Sequence, residues 1–220
     1  MLAKNLINNS IISASGADTA STALSLMDDF RVTHIPVVND AEFLGLISEP
    51  DIFECNDFET PLNTLDTCLK NHYVFEYQHI YDILRLASDM KLTLIPVLDT
   101  NSKYLGSITL LDIIIHFSGM LSVNNEGGII VLELSYNDYS LSEISQIIES
   151  NNAKVISLFI TSWPDSTKIE VTIKLNTTNI EPVVQTFNRY KYFVKASFNE
   201  KTDYNDLKDR YDSLMKYLDV

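Results

Sequence analysis

Gly45-Leu46-Ile47-Ser48-Glu49-Pro50-Asp51-Ile52 is echoed further along the chain by Gly106-Ser107-Ile108-Thr109-Leu110-Leu111-Asp112-Ile113. Each copy runs Gly, two mostly apolar residues, a hydroxyl, two variable residues, Asp and Ile. That order reads as a strand turning into a helix whose first turn carries a carboxylate, a junction where a small polar ligand can sit. The offset between the copies holds beyond the motif to within one position, since Pro36 pairs with Pro96 as Gly45 pairs with Gly106. Ahead of each prolyl segment stands the same apolar ladder, Ala20, Ala23, Leu24, Met27, Phe30 and then Ile80, Ile83, Leu84, Ala87, Met90. Steps of i, i+3, i+4, i+7 and i+10 put each set on one face of a helix. The chain therefore contains a tandem repeat of about sixty residues.

Outward from the motif, each unit reads β-α-β-β-α. In the first, Met1 to Asn9 is expected as a short helix, followed by a strand around Ile11-Ile12. A helix capped by Asp18 or Thr19 then runs to about Phe30, strands follow over 34–38 and 43–47, and a helix opens at Ser48 with Pro50 in its first turn. Residues 54–71, with Pro61, read as a surface linker. The second unit repeats the order, with a strand near Tyr73 to Phe75, a helix from about His79 to Met90, strands over 94–98 and 105–108, and a closing helix from Asp112 to about Met120. Ile113, Ile114, Ile115 and Phe117 leave that last helix little polar face, so it needs cover.

After the polar stretch 122–128 the pattern changes. Ile129 to Leu134 is strand-like, and Ser140-Leu141-Ser142-Glu143 reads as a capping box opening a helix. The segment Ile169 to Leu175 alternates apolar and polar residues, as a strand with one buried face does. With a strand over 155–160 before it, a further helix through Ile180, Val183, Val184 and Phe187 and a last strand over 192–198, the order is β-α-β-β-α-β, that of a ferredoxin-like fold. Leu207, Tyr211, Leu214 and Leu218 then mark an amphipathic C-terminal helix.

The first half resembles the tandem CBS domain, named after cystathionine β-synthase. The resemblance rests on Ala23-Leu24 to Met27, Val32 to Val38 and Gly45 to Asp51, with their counterparts Leu92 to Leu98 and Gly106 to Asp112, and it covers roughly residues 1–118. The second half, over about 129–199, resembles an ACT domain in its order of elements. ACT domains commonly carry Asp-x-Pro-Gly at the first strand-to-helix turn. Here the residues are Asn137-Asp138-Tyr139-Ser140, a departure that favours dimerisation over amino-acid binding. Two CBS units followed by an ACT-like domain are similar to bacterial acetoin-utilisation regulatory proteins. The expected fold is thus α+β: CBS units at 1–60 and 61–122 forming a pseudo-symmetric pair, an ACT-like domain at 128–200, and a helix at 201–220.

Composition bounds the class. A chain of 220 residues with 45% apolar residues can bury a sizeable core without staples. Two sparse cysteines, Cys55 and Cys68, suggest a reducing compartment. No apolar leader follows Met1 and no run approaches the ~18 apolar residues of a membrane span, so the expectation is a cytoplasmic protein with no membrane partner. The net charge of −14 repels phosphate backbones and argues against nucleic acid. The four histidines show no metal-ligand spacing, and no Walker, G-x-S-x-G or G-x-G-x-x-G motif is present. The expectation is therefore no metal site and no enzyme.

Ser48-x-x-Asp51 and Thr109-x-x-Asp112 have a purely structural explanation as capping boxes, worth about 1 kcal/mol each. The CBS resemblance implies another: the hydroxyl and Asp of such units contact the phosphate and ribose hydroxyls of an adenosine ligand. A helix N-terminus suits a phosphate and a carboxylate can accept two hydroxyls. On that resemblance the ligand-binding positions are Ile12, His34, Pro36, Ser48, Asp51, Val74, Pro96, Thr109 and Asp112. The ligand class is AMP, ATP or S-adenosylmethionine, with magnesium as an accompanying cation against Glu49, Glu54 and Asp57. His34, where the second unit has Leu94, makes the first cleft the better suited to phosphate. The alternative is a ligand-free dimerisation or interaction scaffold, and in either case the partners expected are a second copy and an unidentified protein target.

Overall fold

The structure, a computed structural model, describes residues 1–8, 10, 13–54, 57–65, 69–199 and 215. The expected strand around Ile11-Ile12, the ligand position Ile12, both cysteines and the apolar ladder of the C-terminal tail lie outside the described residues. The chain divides into two compact units, Met1–Phe117 and Ser118–Val220.

The first unit contains both repeats. In the first, β1 (Ala14–Ser15), α1 (Ala20–Phe30), β2 (His34–Asn39), β3 (Glu42–Ser48) and α2 (Glu49–Phe53) follow in order. In the second, β4 (Val74–Phe75), α3 (Ile80–Met90), β5 (Leu94–Leu98), β6 (Tyr104–Thr109) and α4 (Leu110–Met120) do the same. Each repeat forms a three-stranded sheet, β1-β2-β3 or β4-β5-β6, with its first pair parallel and its second antiparallel. Both antiparallel pairs carry a bulge at the same place, between Val37 and Val38 and between Val97 and Leu98. Gly45 and Gly106 sit beside these bulges at φ of 157° and 146°. At Gly45 a Cβ would come within 2.6 Å of the Leu69 Cβ, so the position needs glycine for space as well as for its backbone.

The repeats are capped as the sequence suggests. Thr19, rather than Asp18, caps α1 by accepting from the Thr22 N–H, and both α1 and α3 end on a left-handed residue, Arg31 and Lys91. Ala20, Ala23 and Met27 face one core, with Ile35, Val37, Ile47 and Ile52, while Ile80, Ile83 and Ala87 face another, with Leu94, Ile95, Val97 and Ile108.

The two repeats exchange edges. The 3-10 turn Ala3–Asn5 places Ala3 and Leu6 in the core of the second repeat, and Asn8 bridges Ser107 of β6. In return, Lys70, just ahead of the second repeat's first strand, bridges Leu46 of β3. Leu46 and Ser107 each directly follow the glycine of their own copy of the motif, so the exchange follows the repeat. The stretch expected as a surface linker is only partly one. Its 3-10 turn Leu62–Thr64 buries Leu62 completely in the first repeat's core, with Leu65 and Leu69 packed beside it. Burial of these leucines outweighs the polar character of the segment around them.

The second unit contains β7 (Ile129–Ser135), α5 (Leu141–Ser150), β8 (Val155–Ser162), β9 (Lys168–Leu175), α6 (Glu181–Arg189) and β10 (Phe193–Phe198). The strands form one antiparallel sheet in the order β10-β7-β9-β8, the ferredoxin-like arrangement. Ile169, Val171, Ile173 and Leu175 of β9 meet Ile144, Ile147 and Ile148 of α5 and Val183 and Phe187 of α6 in its core. Ser140 accepts the Glu143 N–H as an N-cap should, but the reciprocal arm of a capping box is missing. The Glu143 carboxylate instead accepts the Tyr192 hydroxyl at 2.8 Å.

Candidate functional site

The strand-to-helix turn of each repeat brings its hydroxyl and carboxylate into contact. In the first, the Ser48 hydroxyl donates to Asp51 Oδ2 at 2.5 Å and itself accepts the Asp51 N–H at 3.3 Å. In the second, the Thr109 hydroxyl donates to Asp112 Oδ2 at 2.5 Å and accepts the Asp112 N–H at 3.1 Å. Each Asp also accepts the backbone N–H of its own cap residue, completing a capping box. The structural explanation of these residues is therefore satisfied in full.

What surrounds the two carboxylates differs. Lys70 lies 3.8 Å from Asp51 Oδ1, held there because its backbone exchanges two hydrogen bonds with Leu46, at 2.8 and 2.9 Å. At the second turn Asn8 donates its amide to Asp112 Oδ1 at 3.1 Å and Oδ2 at 3.3 Å. The cation and the carboxamide arrive by the same edge exchange. Neither was visible in the sequence, because the segments carrying them have no periodicity of their own. Their place just ahead of each repeat's first strand was the only signal.

His34 stands opposite Ser48 in the β2–β3 ladder, as Leu94 stands opposite Thr109 in β5–β6. Its Nδ1 lies 3.1 Å from the hydroxyls of both Thr33 and Thr93, and accepts the Thr93 N–H at 3.4 Å. Burial lowers the His34 pKa below the ordinary histidine value, and His72 adds to this, while the Asp51 carboxylate acts in the opposite sense. The imidazole is thus held neutral at the seam of the repeats, where Thr33 and Thr93, equivalent positions of the two copies, also meet through an N–H to hydroxyl bond of 2.9 Å.

The remaining ligand positions are buried. Pro36 and Pro96 lie in the ladders opposite Leu46 and Ser107, and Val74 is 2% exposed within the second repeat's core. The structure thus joins Ser48 with Asp51 and Thr109 with Asp112, and sets His34 opposite Ser48. The prolines and Val74 it places in the ladders and the core, away from the two carboxylates' hydrogen bonds.

Two concavities stand out, the first of which reaches the first turn at Thr33 and Glu49. One of about 420 Å³ opens between α1 and α2, lined by Leu24, Met27, Asp28, Arg31, Glu49 and Phe53. Another, of about 450 Å³ in the second unit, is lined by Glu133, Ser135, Asp138, Glu143, Lys191 and Tyr192, at the Asn137–Ser140 turn. Burial, and then the Glu143 carboxylate, raise the Tyr192 pKa above the ordinary tyrosine value. Among the described residues no group of three His, Cys, Asp or Glu side chains is arranged for a metal ion, and no helix is long and apolar enough to cross a membrane.

The family model of the CBS domain matches residues 3–56. A homoserine O-acetyltransferase of Methanosphaera stadtmanae is 27% identical over 109 residues, which make up 48% of this chain and 22% of that protein. The chain thus spans about a fifth of the length of this curated relative. Among solved structures, a CBS domain pair/ACT domain protein of Thermotoga maritima is 18% identical, over 55% of this chain and 99% of the other, with a TM-score of 0.49. A proposed acetoin utilization protein, AcuB, of Vibrio cholerae is 18% identical, over 56% and 95%, with a TM-score of 0.48. The protein CBSX2, solved in complex with AMP, is 17% identical, over 56% and 98%, with a TM-score of 0.47. The CBS family model thus covers the first repeat, and the second, from β4 to α4, repeats its element order, bulge position and capping.

Proposed function

We propose that this protein is a non-catalytic regulatory module in which the first CBS cleft binds an adenosine-containing ligand with an anionic group. The observation that carries the reading is the grouping of Asp51, Lys70 and His34 around one turn. A carboxylate is suited to a ribose diol, and an ammonium and an imidazole that can gain a proton are suited to phosphate. AMP, ATP and S-adenosylmethionine are the class to test, with and without magnesium. Ligand binding regulates only by favouring one arrangement of the module over another, so the output is a change in how it meets its partner.

The decisive experiment is native mass spectrometry of the purified chain, followed by thermal-shift titration with the three adenosine compounds. A bound or stabilising nucleotide lost in Ser48→Ala/Asp51→Ala supports the reading. Ligand-free protein indifferent to all three refutes it.

One observation favours a second role beside the first, as a homodimer or protein-docking scaffold. Leu111 and Ile115, one turn apart on α4, are 65% and 59% exposed, although the neighbouring Ile113 is buried. A contiguous apolar helix face of this kind calls for a partner. Sedimentation over a concentration series tests it: a monomer throughout, unchanged by Ile115→Lys, sinks the dimer.

A further inference from the structure

We propose that the sheet of the second unit carries, on the face turned away from α5 and α6, a site for a small amphipathic carboxylate, a ligand with one negative charge and a short apolar chain. The site is separate from the CBS clefts and goes beyond the adenosine reading. Its origin is the alternation of β9. Ile169, Val171, Ile173 and Leu175 enter the core, so Thr172 and Lys174 emerge on the opposite face. The ladder sets Lys174 between Ile129 of β7 and Ser157 of β8, and Thr172 beside Phe159. Leu121 and Val123, from the turn after α4, complete a cavity of about 320 Å³ over these residues. Its lining is apolar except for two hydroxyls and an ammonium, the make-up of a small-molecule site.

Lys174 directs the choice of ligand. It is 9% exposed, a degree of burial that charged side chains rarely reach unless paired. Its ammonium has three donors, and among the described residues one of them is used, on the Val123 carbonyl at 3.2 Å. No carboxylate pairs with it among the described residues. Glu133 and Glu170, on the same sheet face, are committed to Lys168 and Lys195. A buried cation without a counter-charge favours an anion beside it. A carboxylate matches its single charge, whereas a phosphate dianion brings a second charge into apolar surroundings. Thr172 supplies a hydroxyl donor two residues along the strand. The Ser157 hydroxyl instead donates to the Leu121 carbonyl at 3.1 Å and so fixes that wall. Phe159 and Val123, 44% and 54% exposed, are the apolar surface that a hydrocarbon chain would cover. At about 30 Å³ for a water-sized group, the cavity takes roughly ten non-hydrogen atoms, the size of octanoate.

Octanoate is therefore the probe, with 1-octanol as its uncharged counterpart, each titrated into the full chain by calorimetry. The expected result is saturable binding of one octanoate per chain, weakened at least about tenfold in Lys174→Met. That variant keeps the apolar stem, and thermal unfolding checks that it is folded. The alcohol should bind the wild type at least about tenfold more weakly than the acid. In the wild type, octanoate should also shift the NMR amide signals of Ser157, Phe159 and Thr172, a readout that needs no variant to fold. Overturning results are no octanoate bound, equal binding by the wild type and folded Lys174→Met, equal binding of acid and alcohol, or shifts confined to other residues. A wild-type dimer that refuses octanoate and dissociates in Phe159→Asp would overturn it too, by assigning the face to a second copy. Ser48→Ala/Asp51→Ala should bind octanoate as the wild type does, so this site and the adenosine reading stand or fall separately.

Discussion

Asp51 and Asp112 occupy the same place in two copies of one unit, with the same hydroxyl bond of 2.5 Å, yet one faces a lysine and the other a carboxamide. The capping chemistry has been kept in both because it holds the turn. The surroundings have diverged because they come from segments outside the repeated motif. The repeat thus supplies two like scaffolds, and the exchanged edges bring different side chains to them.

The largest test of that comparison is to remove what each exchanged segment buries. Leu6→Ala and Leu62→Ala each take a fully buried side chain from a core and should cost ~2–5 kcal/mol in denaturant unfolding. Leu6→Ala should loosen the second repeat and Leu62→Ala the first, as read by hydrogen exchange of β5 and β2. Protection lost in the same repeat for both variants would contradict the exchange.

Next in size, Lys70→Met should weaken AMP at the first cleft about tenfold, as calorimetry would show. Ser48→Ala and Thr109→Ala should each destabilise the fold by ~1 kcal/mol as lost caps, the pair of values agreeing more closely than their effects on ligand. The smallest effect is pH-dependent. Burial depresses the His34 pKa in the folded state, so the unfolded chain binds its proton more readily. The stability His34 contributes is present above the unfolded value of about 6.5 and declines as pH falls through the lower folded value. His34→Leu, which copies the second repeat, should flatten the fall of the melting temperature as pH drops below about 6.5.

The repeat was legible because its marks are local. A glycine at a bulge, a proline in a strand and a hydroxyl three positions before a carboxylate each report a backbone requirement that recurs at a near-constant offset. The ferredoxin-like order was legible for a similar reason, through the alternation in β9 and the helical spacing of α5 and α6. The edge partners were not. Asn8 and Lys70 act through pairings with Ser107 and Leu46, far from them along the chain, and nothing in their own neighbourhoods announces the partner. Leu62 was hidden by its polar surroundings, and the reciprocal bond expected of Glu143 went to Tyr192, which belongs to the far end of the same unit.

The edge exchange also sets an order of assembly on the ribosome. Leu46 waits only for Lys70 to be made, whereas Asn8 waits for Ser107, a much longer stretch of chain. At synthesis rates of about 5–20 residues per second, these delays are about 1–5 s and about 5–20 s. The first repeat can therefore gain its borrowed edge while the segment around Asn8 is still unpaired. A stretch made ahead of the first repeat thus finds its place only after that repeat has gained its own edge.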